Sequence, residues 1–374
     1  MYKVFCPYRI CPLGAHVDHQ KGFITGFAID KGINFDYEIT DDGKIELTSS
    51  DFEGVVSFSI DGLLELQSDW GNYMRGATKI MRDNYQLTKG IKGHFKGELP
   101  IGGLSSSAAV TLCFLRALST ANDIKLTDSQ MIDYAYLSES DFVGLKIGKL
   151  DQSCEVLCKK NQYLFLDTLD MSYKLIKENP NHTPYEFLII HSGQARKLVN
   201  SAYNVRVDEC KSAAYLAKAL LGKEYGKYKD TYLRDLTFEE VKKVSNFMPI
   251  NWMRRAEHYY GENQRVLDGI KAWEKGDMVK FGEIVRESGN SSINLYEAGS
   301  PLLKDLNFII NSTDGVYGGR FMGGGFNGCC LAIIDPSKKE EIKNTISTRY
   351  LTLHPEMKEL FGMFDCVSGD GIGE

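Results

Sequence analysis

The chain has 374 residues, enough for one large or two ordinary domains with a substantial core. Its hydrophobic content of 43% and charged content of 25% are those of a soluble globular protein. A net charge of −6 gives no general pull toward nucleic acid or an anionic membrane, so an anionic ligand must be met by locally placed cations. Residues Met1 to Cys6 lack the long apolar core of a signal peptide. No apolar run approaches the roughly 20 residues of a membrane span. Nine cysteines, an odd number scattered along the chain, predict reduced thiols in a cytoplasm. Cys154 and Cys158 share a predicted helix face and Cys329 adjoins Cys330, but no second pair stands at zinc spacing, so a metal–thiolate site is not expected.

In chain order, residues 8–20 come first: Tyr8, Arg9, Ile10, Cys11, Pro12, Leu13, Gly14, Ala15, His16, Val17, Asp18, His19 and Gln20. They are dense in polar groups and lack helical period, which suits a ligand-binding loop or a solvated connection. Ile33, Phe35, Tyr37 and Ile39 alternate, Asp41-Asp42-Gly43 supplies turn chemistry, and Ile45 and Leu47 alternate again, as in a β-hairpin. Val56, Phe58 and Ile60 predict another strand, and Trp70 to Arg82 a helix.

A short strand-like segment from Ile91 to Lys96 then leads into Leu99-Pro100-Ile101-Gly102-Gly103-Leu104-Ser105-Ser106-Ser107-Ala108-Ala109. Ala108, Leu112, Leu115 and Leu118 behind it have the spacing of one helix face. Glycine lets backbone approach a ligand closely, and the first turn of a helix offers unpaired N–H groups and a positive dipole end. This stretch is therefore a phosphate-loop candidate, or else a tight strand-to-helix turn. It is not a Walker A loop, because no lysine follows the glycines.

Thr127 and Gln130 fit a capping box opening a helix to about Ser140. Leu150-Asp151-Gln152 begins another short helix, and Tyr163 to Leu166 reads as a strand. The polar run from Lys177 to His182 is the expected boundary between domains at residues 1–180 and 181–374. Beyond it come a strand at Phe187 to Ile190, a helix from Lys197 to Leu221, and another from Arg254 to Lys275 stopped by Gly276. Asp277 is placed to cap the next helix. A second glycine loop, Gly318 to Cys329, precedes a strand over Cys330 to Ile334. Helices and strands in mixed order with hairpins predict an α+β fold rather than a doubly wound sheet.

Three separated blocks, Arg9 to Gln20, Gly102 to Ala109 and Gly318 to Cys329, resemble the three motifs of the GHMP small-molecule kinases, most closely galactokinases and their galacturonokinase relatives. Trp70 to Gly76, Tyr203-Asn204-Val205-Arg206 and Arg254-Arg255-Ala256-Glu257-His258 extend the resemblance over nearly the whole chain. It implies a two-domain α+β kinase fold with the active site in the cleft between halves, and MgATP-dependent phosphorylation of the anomeric hydroxyl of a galactose-type sugar. By the same resemblance, Asp151 is the catalytic aspartate and Arg9 the arginine paired with it. Ser107 and Glu139 hold Mg²⁺. Ala15, His16, Asp18, Tyr203 and Gly324 line the sugar site. Gly102, Gly103, Leu104, Ser105, Ser106, Ser107 and Ala108 wrap the ATP phosphates, and Trp70 borders the adenine.

The chemistry suits these residue types. Phosphoryl transfer needs in-line positioning and neutralised phosphate charge more than covalent help. Helix-start amides, with Mg²⁺ on a hydroxyl and a carboxylate, supply that neutralisation. Asp151 can accept or orient the sugar hydroxyl proton, and a neighbouring guanidinium favours its ionised form.

Two departures from the family pattern stand out. The phosphate loop is one glycine short, and galactokinases carry a glutamate, in contact with the C6 hydroxyl, where this chain has Ala15. Two like charges about 5 Å apart at an effective dielectric of about 20 repel by roughly 3 kcal/mol, about a hundredfold in affinity. Ala15 thus favours a uronic acid, galacturonate, with galactose the alternative. His19, Lys21, Lys146 and Arg196 are the candidate cations for its carboxylate. A non-catalytic sugar sensor is the remote alternative, disfavoured because Ser106, Ser107, Ala108 and Asp151 are all present. Mevalonate-type and homoserine-type kinases share the Gly/Ser loop without the pattern around His16 and Asp18.

Overall fold

The structure is a computed structural model and describes residues 1–194, 202–224, 226–325 and 328–373. The elements in order are β1 (Tyr2–Ile10), β2 (Phe23–Thr40), β3 (Lys44–Ser49), β4 (Val56–Ser59), α1 (Asn72–Asn84), β5 (Gly90–Gly97), α2 (Ser106–Ala121), α3 (Asp128–Leu137) and α4 (Leu150–Leu157). Strands β6 (Gln162–Asp167), β7 (Ser172–Lys177) and β8 (Glu186–Ser192) follow. Helices α5 (Ala202–Leu220), α6 (Phe238–Lys243), α7 (Ile250–Lys275), α8 (Met278–Asn294) and α9 (Pro301–Asn311) come next. The chain ends with β9 (Val316–Phe321), β10 (Cys329–Ile334), α10 (Lys339–Leu353), β11 (Phe361–Cys366) and β12 (Ser368–Gly369).

Two sheets organise these elements. The first has eight strands, in the order β4-β3-β5-β2-β6-β7, with β1 and β12 also paired to β2. Its pairs are antiparallel except β3 with β5. The 18-residue β2 is its spine: residues 23–26 pair with β6 and residues 33–40 with β5. The second sheet is antiparallel, β11-β8-β10-β9. Mixed sheets and helices make the fold α+β. The C-terminal β12 returns to β2, so the end of the chain completes the sheet its beginning starts.

Several local signals act as their chemistry dictates. Thr127 and Gln130 form the reciprocal capping box at the start of α3. Gly276, with a φ of 72°, ends α7, and the Asp277 carboxylate accepts from the Lys280 amide to start α8. The helix predicted from Lys197 is described only from Ala202, its earlier residues lying outside the described ones. The glycine-rich stretch from Gly318 starts inside strand β9 rather than in a loop. A Cβ on Gly318 would overlap the backbone of Gly282, so these glycines let α8 lie directly on the sheet.

An aromatic cluster ties the two sheets together. The Phe27 ring lies 4.9 Å from Tyr163, 5.2 Å from Phe187 and 5.1 Å from Trp273, with Phe281 against Tyr163. All five side chains are buried, and the Trp273 indole donates to the Ile176 carbonyl. The walls of the site are thereby held in one core.

Candidate active site

The site begins where β1 loses register. Pairing with β2 shifts between Pro7 and Arg9, where Tyr8 alone on β1 faces residues 29–31 of β2, a bulge in β2 directly beside Arg9. Arg9 donates from Nε to Asp151 Oδ1 at 2.8 Å and from Nη1 to the Gly103 carbonyl at 2.9 Å. Burial opposes its charge, but Asp151 outweighs burial and drives the guanidinium pKa up. Asp151 lies in the first turn of α4, where the helix dipole favours a carboxylate, and about a third of its side chain faces the cleft.

Residues 11–22 form the wall beside this pair. Gly14 sits at φ 89°, and a Cβ there would stand 2.6 Å from the Ile24 Cα, so only glycine fits. Its amide donates to Glu262 Oε1 of α7 at 2.8 Å. The Ala15 carbonyl accepts from His258 Nε2 at 3.1 Å. His16 holds a left-handed φ of 62° and stacks on Tyr296 at 4.5 Å. Its Nε2 is buried with no hydrogen-bond partner. Burial, then His258 and Arg320, pull its pKa well down, so the ring is neutral. Asp18 Oδ2 accepts from the Leu150 amide at 3.3 Å, and Gly148 presses so closely on it that a Cβ would overlap the carboxylate. Burial and then Asp151 raise the Asp18 carboxyl to about 6. Tyr203, near Asp18, has its phenol pushed well up by burial and that charge, so it stays protonated.

One cleft is lined by Arg9, Ala15, His16, Asp18, Asp151 and Tyr203, closed on its other side by Arg320 and residues 321–324. Residues 102–105 form its neighbour. Gly102, Gly103 and Ser105 all have positive φ (141°, 78° and 65°), and α2 starts at Ser106. This turn exposes consecutive amides, as phosphate-binding turns do. Ser105 Oγ is buried without a partner. Leu104 and Ala108 are buried and anchor the turn, while Ser106 and Ser107 are partly exposed in the first helical turn. The third glycine block packs on this loop backbone to backbone: a Cβ on Gly328 would overlap Gly102, and one on Gly323 would stand 3.1 Å from the Gly103 Cα.

Glu139 lies in the turn after α3, 3% exposed, and accepts from Gln152 Nε2 at 2.8 Å. Gln152 follows Asp151, and its own Oε1 is buried without a partner. Trp70, just ahead of α1, meets Phe95 edge-on at 6.4 Å and faces Phe52 at 6.2 Å, away from the lining of the cleft.

Of the cations expected to meet a carboxylate, the described ones turn elsewhere. His19 bonds Tyr296 and Gln20 and is held neutral, lowered to about 3 by burial and then Lys211. Lys21 lies over the Tyr232 ring, and Lys146 pairs with Asp208 at 2.6 Å. Arg196 lies outside the described residues. The cation that does join Arg9 at the cleft is Arg320, fully buried. It donates to Ser288, to Ser292 Oγ at 3.0 Å and to the Phe321 carbonyl, with Glu262 at 3.5 Å. Burial alone would raise the Glu262 carboxyl, but Arg265, Arg320 and His258 outweigh it and hold it at about 2. Glu262 and Arg320 stand out only once the fold is known, although Arg320 does lie in the third glycine block.

Comparisons with known proteins give relatives over nearly the whole chain. The GHMP kinases N terminal domain matches residues 72–159. A galacturonokinase of Arabidopsis thaliana is 36% identical, the alignment covering 94% of this chain and 88% of that protein. A galactokinase of Roseiflexus sp. is 28% identical over 99% of this chain and 92% of its own length. The fold superimposes on Lactococcus lactis galactokinase complexed with galactose, with a TM-score of 0.89, 24% identity, and 99% and 94% of the two chains covered. With Asp151 and Arg9 at the cleft and the glycine–serine turn beside it, the chain belongs to the galactokinase family of GHMP kinases and is a sugar-kinase phosphotransferase.

Proposed function

We propose that the protein transfers the γ-phosphoryl group of MgATP to the anomeric hydroxyl of galacturonate. The observation that carries the choice of a uronate is Ala15, a methyl lining the cleft where a galactokinase has a carboxylate. Beside it stands a group able to receive a carboxylate, the unpartnered Nε2 of neutral His16 as its N–H tautomer, while Arg320, bonded to Ser288, Ser292 and the Phe321 carbonyl, lends positive charge behind the wall. The Arabidopsis relative, a galacturonokinase by name, points the same way.

Asp151 is the group that accepts or orients the proton of the anomeric hydroxyl. Arg9 occupies Oδ1, which leaves the other carboxylate oxygen for substrate. Asp18 accepts from a ring hydroxyl when ionised, and the protonated Tyr203 phenol donates to another. The amides of residues 102–107 take the phosphate oxygens at the start of α2, a helix of 16 residues. Ser107 and Glu139 offer the hard oxygen donors that Mg²⁺ prefers, and the orphaned Gln152 Oε1 beside Glu139 fits a polar ligand there. Bound Mg²⁺ would neutralise phosphate charge; the protein's share is to align the hydroxyl and hold its proton.

The test is a coupled ADP-release assay with MgATP and, at equal concentrations, galacturonate, galactose, glucuronate and N-acetylgalactosamine. A tenfold or greater preference for galacturonate in kcat/KM is expected, a gap of about 1.4 kcal/mol. A preference for galactose would make the chain a divergent galactokinase, and turnover of none of the four would return the sensor reading.

A further inference from the structure

A second, wider cavity lies on the far side of the sugar cleft, behind a wall that both share at Asp18, Ile147 and Gly148. It is floored by the turn after Asp18 and roofed by α5 and residues 228–232. Its charge is unlike that of the chain as a whole: Lys21, Lys146, Lys149, Lys211 and Lys229 line it, against Asp18 and Asp208.

Two of these lysines are held where free ammonium groups would not gather. Lys21 Nζ lies 4.3 Å and Lys211 Nζ 4.1 Å from the centre of the one Tyr232 ring, so they are no farther apart than the sum of those distances. No described carboxylate lies within ion-pair distance of either; the nearby Asp208 and Asp235 are taken by Lys146 and Lys218. The ammonium of Lys211 donates to the Lys229 carbonyl at 2.6 Å. Burial, reinforced by Lys21, depresses its pKa against the opposing pull of Asp230, Asp208 and Asp235. Ring faces soften this crowding but do not neutralise it. A dianion between the two would.

We propose that this cavity is an anion site, built to take the phosphate group of a small phosphorylated molecule between Lys21 and Lys211. The ligand class follows from the cations. Every charged donor lining the cavity is a lysine, a point charge suited to a compact phosphate, with no guanidinium fork to match a planar carboxylate. Tyr136, Tyr228 and Tyr232 add surfaces for the body of the ligand. The site is separate from the ATP phosphates, which belong with residues 102–107, and it does not depend on which sugar is phosphorylated. Asp18, Ile147 and Gly148 face both cavities and separate this site from the sugar cleft.

The experiment is calorimetric titration of the full chain, saturated with ADP, with inorganic phosphate and separately with ribose 5-phosphate. Wild type is expected to bind one more equivalent of at least one probe than Lys21→Gln/Lys211→Gln, with ADP affinity equal in the two proteins. Tighter binding of ribose 5-phosphate identifies a phosphate monoester, and tighter inorganic phosphate the free ion. The single variants Lys21→Gln and Lys211→Gln should each weaken binding tenfold or more, which guards against a folding defect in the double variant. Identical titrations of wild type and variants, or no uptake of either probe by wild type, overturn the proposal.

Discussion

The two sides of the cleft are built by opposite means. The Gly14–His16 wall is braced by side chains from α7 and from the turn after α8: Glu262 takes the Gly14 amide, His258 takes the Ala15 carbonyl, and Tyr296 stacks on His16. The glycine–serine turn is braced by backbone on backbone, glycines 102 and 103 against glycines 323 and 328. Buried polar atoms without partners occur on both: His16 Nε2 on one, Ser105 Oγ and Gln152 Oε1 on the other. Leaving such atoms unmet costs about 1–3 kcal/mol each, which a bound ligand can return. On the roles proposed for them, specificity would reside in a side-chain lattice that substitution can retune, and nucleotide binding in a backbone shape that its glycines permit.

The largest effect falls where the two sides meet. Asp151→Asn should cut kcat by about 10²–10⁴ while MgATP binding, measured by calorimetry, survives, because asparagine keeps an oxygen for Arg9, which holds the Gly103 carbonyl of the proposed phosphate loop. Normal turnover by the folded variant would remove Asp151 from the chemistry. Next comes the brace itself. Glu262→Ala leaves the buried Arg320 charge without its carboxylate and should cost about 3–5 kcal/mol of stability, read as a lower denaturation midpoint. The same variant should raise KM for sugar more than KM for ATP, since the Gly14 amide loses its acceptor.

Ala15→Glu tests the specificity lattice directly. It should lower kcat/KM for galacturonate about a hundredfold and leave or improve that for galactose, from the roughly 3 kcal/mol of like-charge repulsion. Equal losses on both sugars would mean that the glutamate merely fills space. Gly103→Ala tests the other side. A left-handed φ of 78° and a Cβ 3.0 Å from the Cys329 amide cost about 1–2 kcal/mol, so KM for ATP should rise roughly tenfold with KM for sugar unchanged.

The same contrast explains what could be read from the sequence. Local signals were legible: the Thr127 capping box, the Gly276 stop with its Asp277 cap, and the glycine–serine turn before α2 all act within a few residues. Long-range placement was not. Residues 23–28 of β2 show no alternation because this central strand is buried on both faces. Gly318 and Gly319 look like loop residues and lie in a strand, since their smallness serves helix–sheet contact. Glu262 reaches Gly14 across 248 residues, and no spacing rule announces it. Lys21 and Lys146 sit close in sequence to Asp18 and Asp151, but the wall at Gly148 turns them into the other cavity.

The smallest predicted effect is a matter of pH. Asp18 has a carboxyl raised from 3.8 to about 6, first by burial and then by Asp151. Below about pH 4 both folded and unfolded chains hold its proton, and it contributes nothing to the difference between them. Between about pH 4 and 6 the folded chain keeps a proton that the unfolded chain has released, so stability falls as pH rises. Above pH 6 the full cost remains. Asp18→Asn should therefore match wild type near pH 4 and exceed it by roughly 1–2 kcal/mol at pH 8, discounted for solvent reaching the cleft. Activity should move the opposite way. Wild-type kcat/KM for sugar should climb through pH about 6 as Asp18 ionises to accept a hydroxyl, and the Asp18→Asn variant should lack that limb and bind sugar weakly. A variant no more stable at pH 8 would show that the carboxylate is relaxed in its site; a retained limb would assign the ionisation to another group.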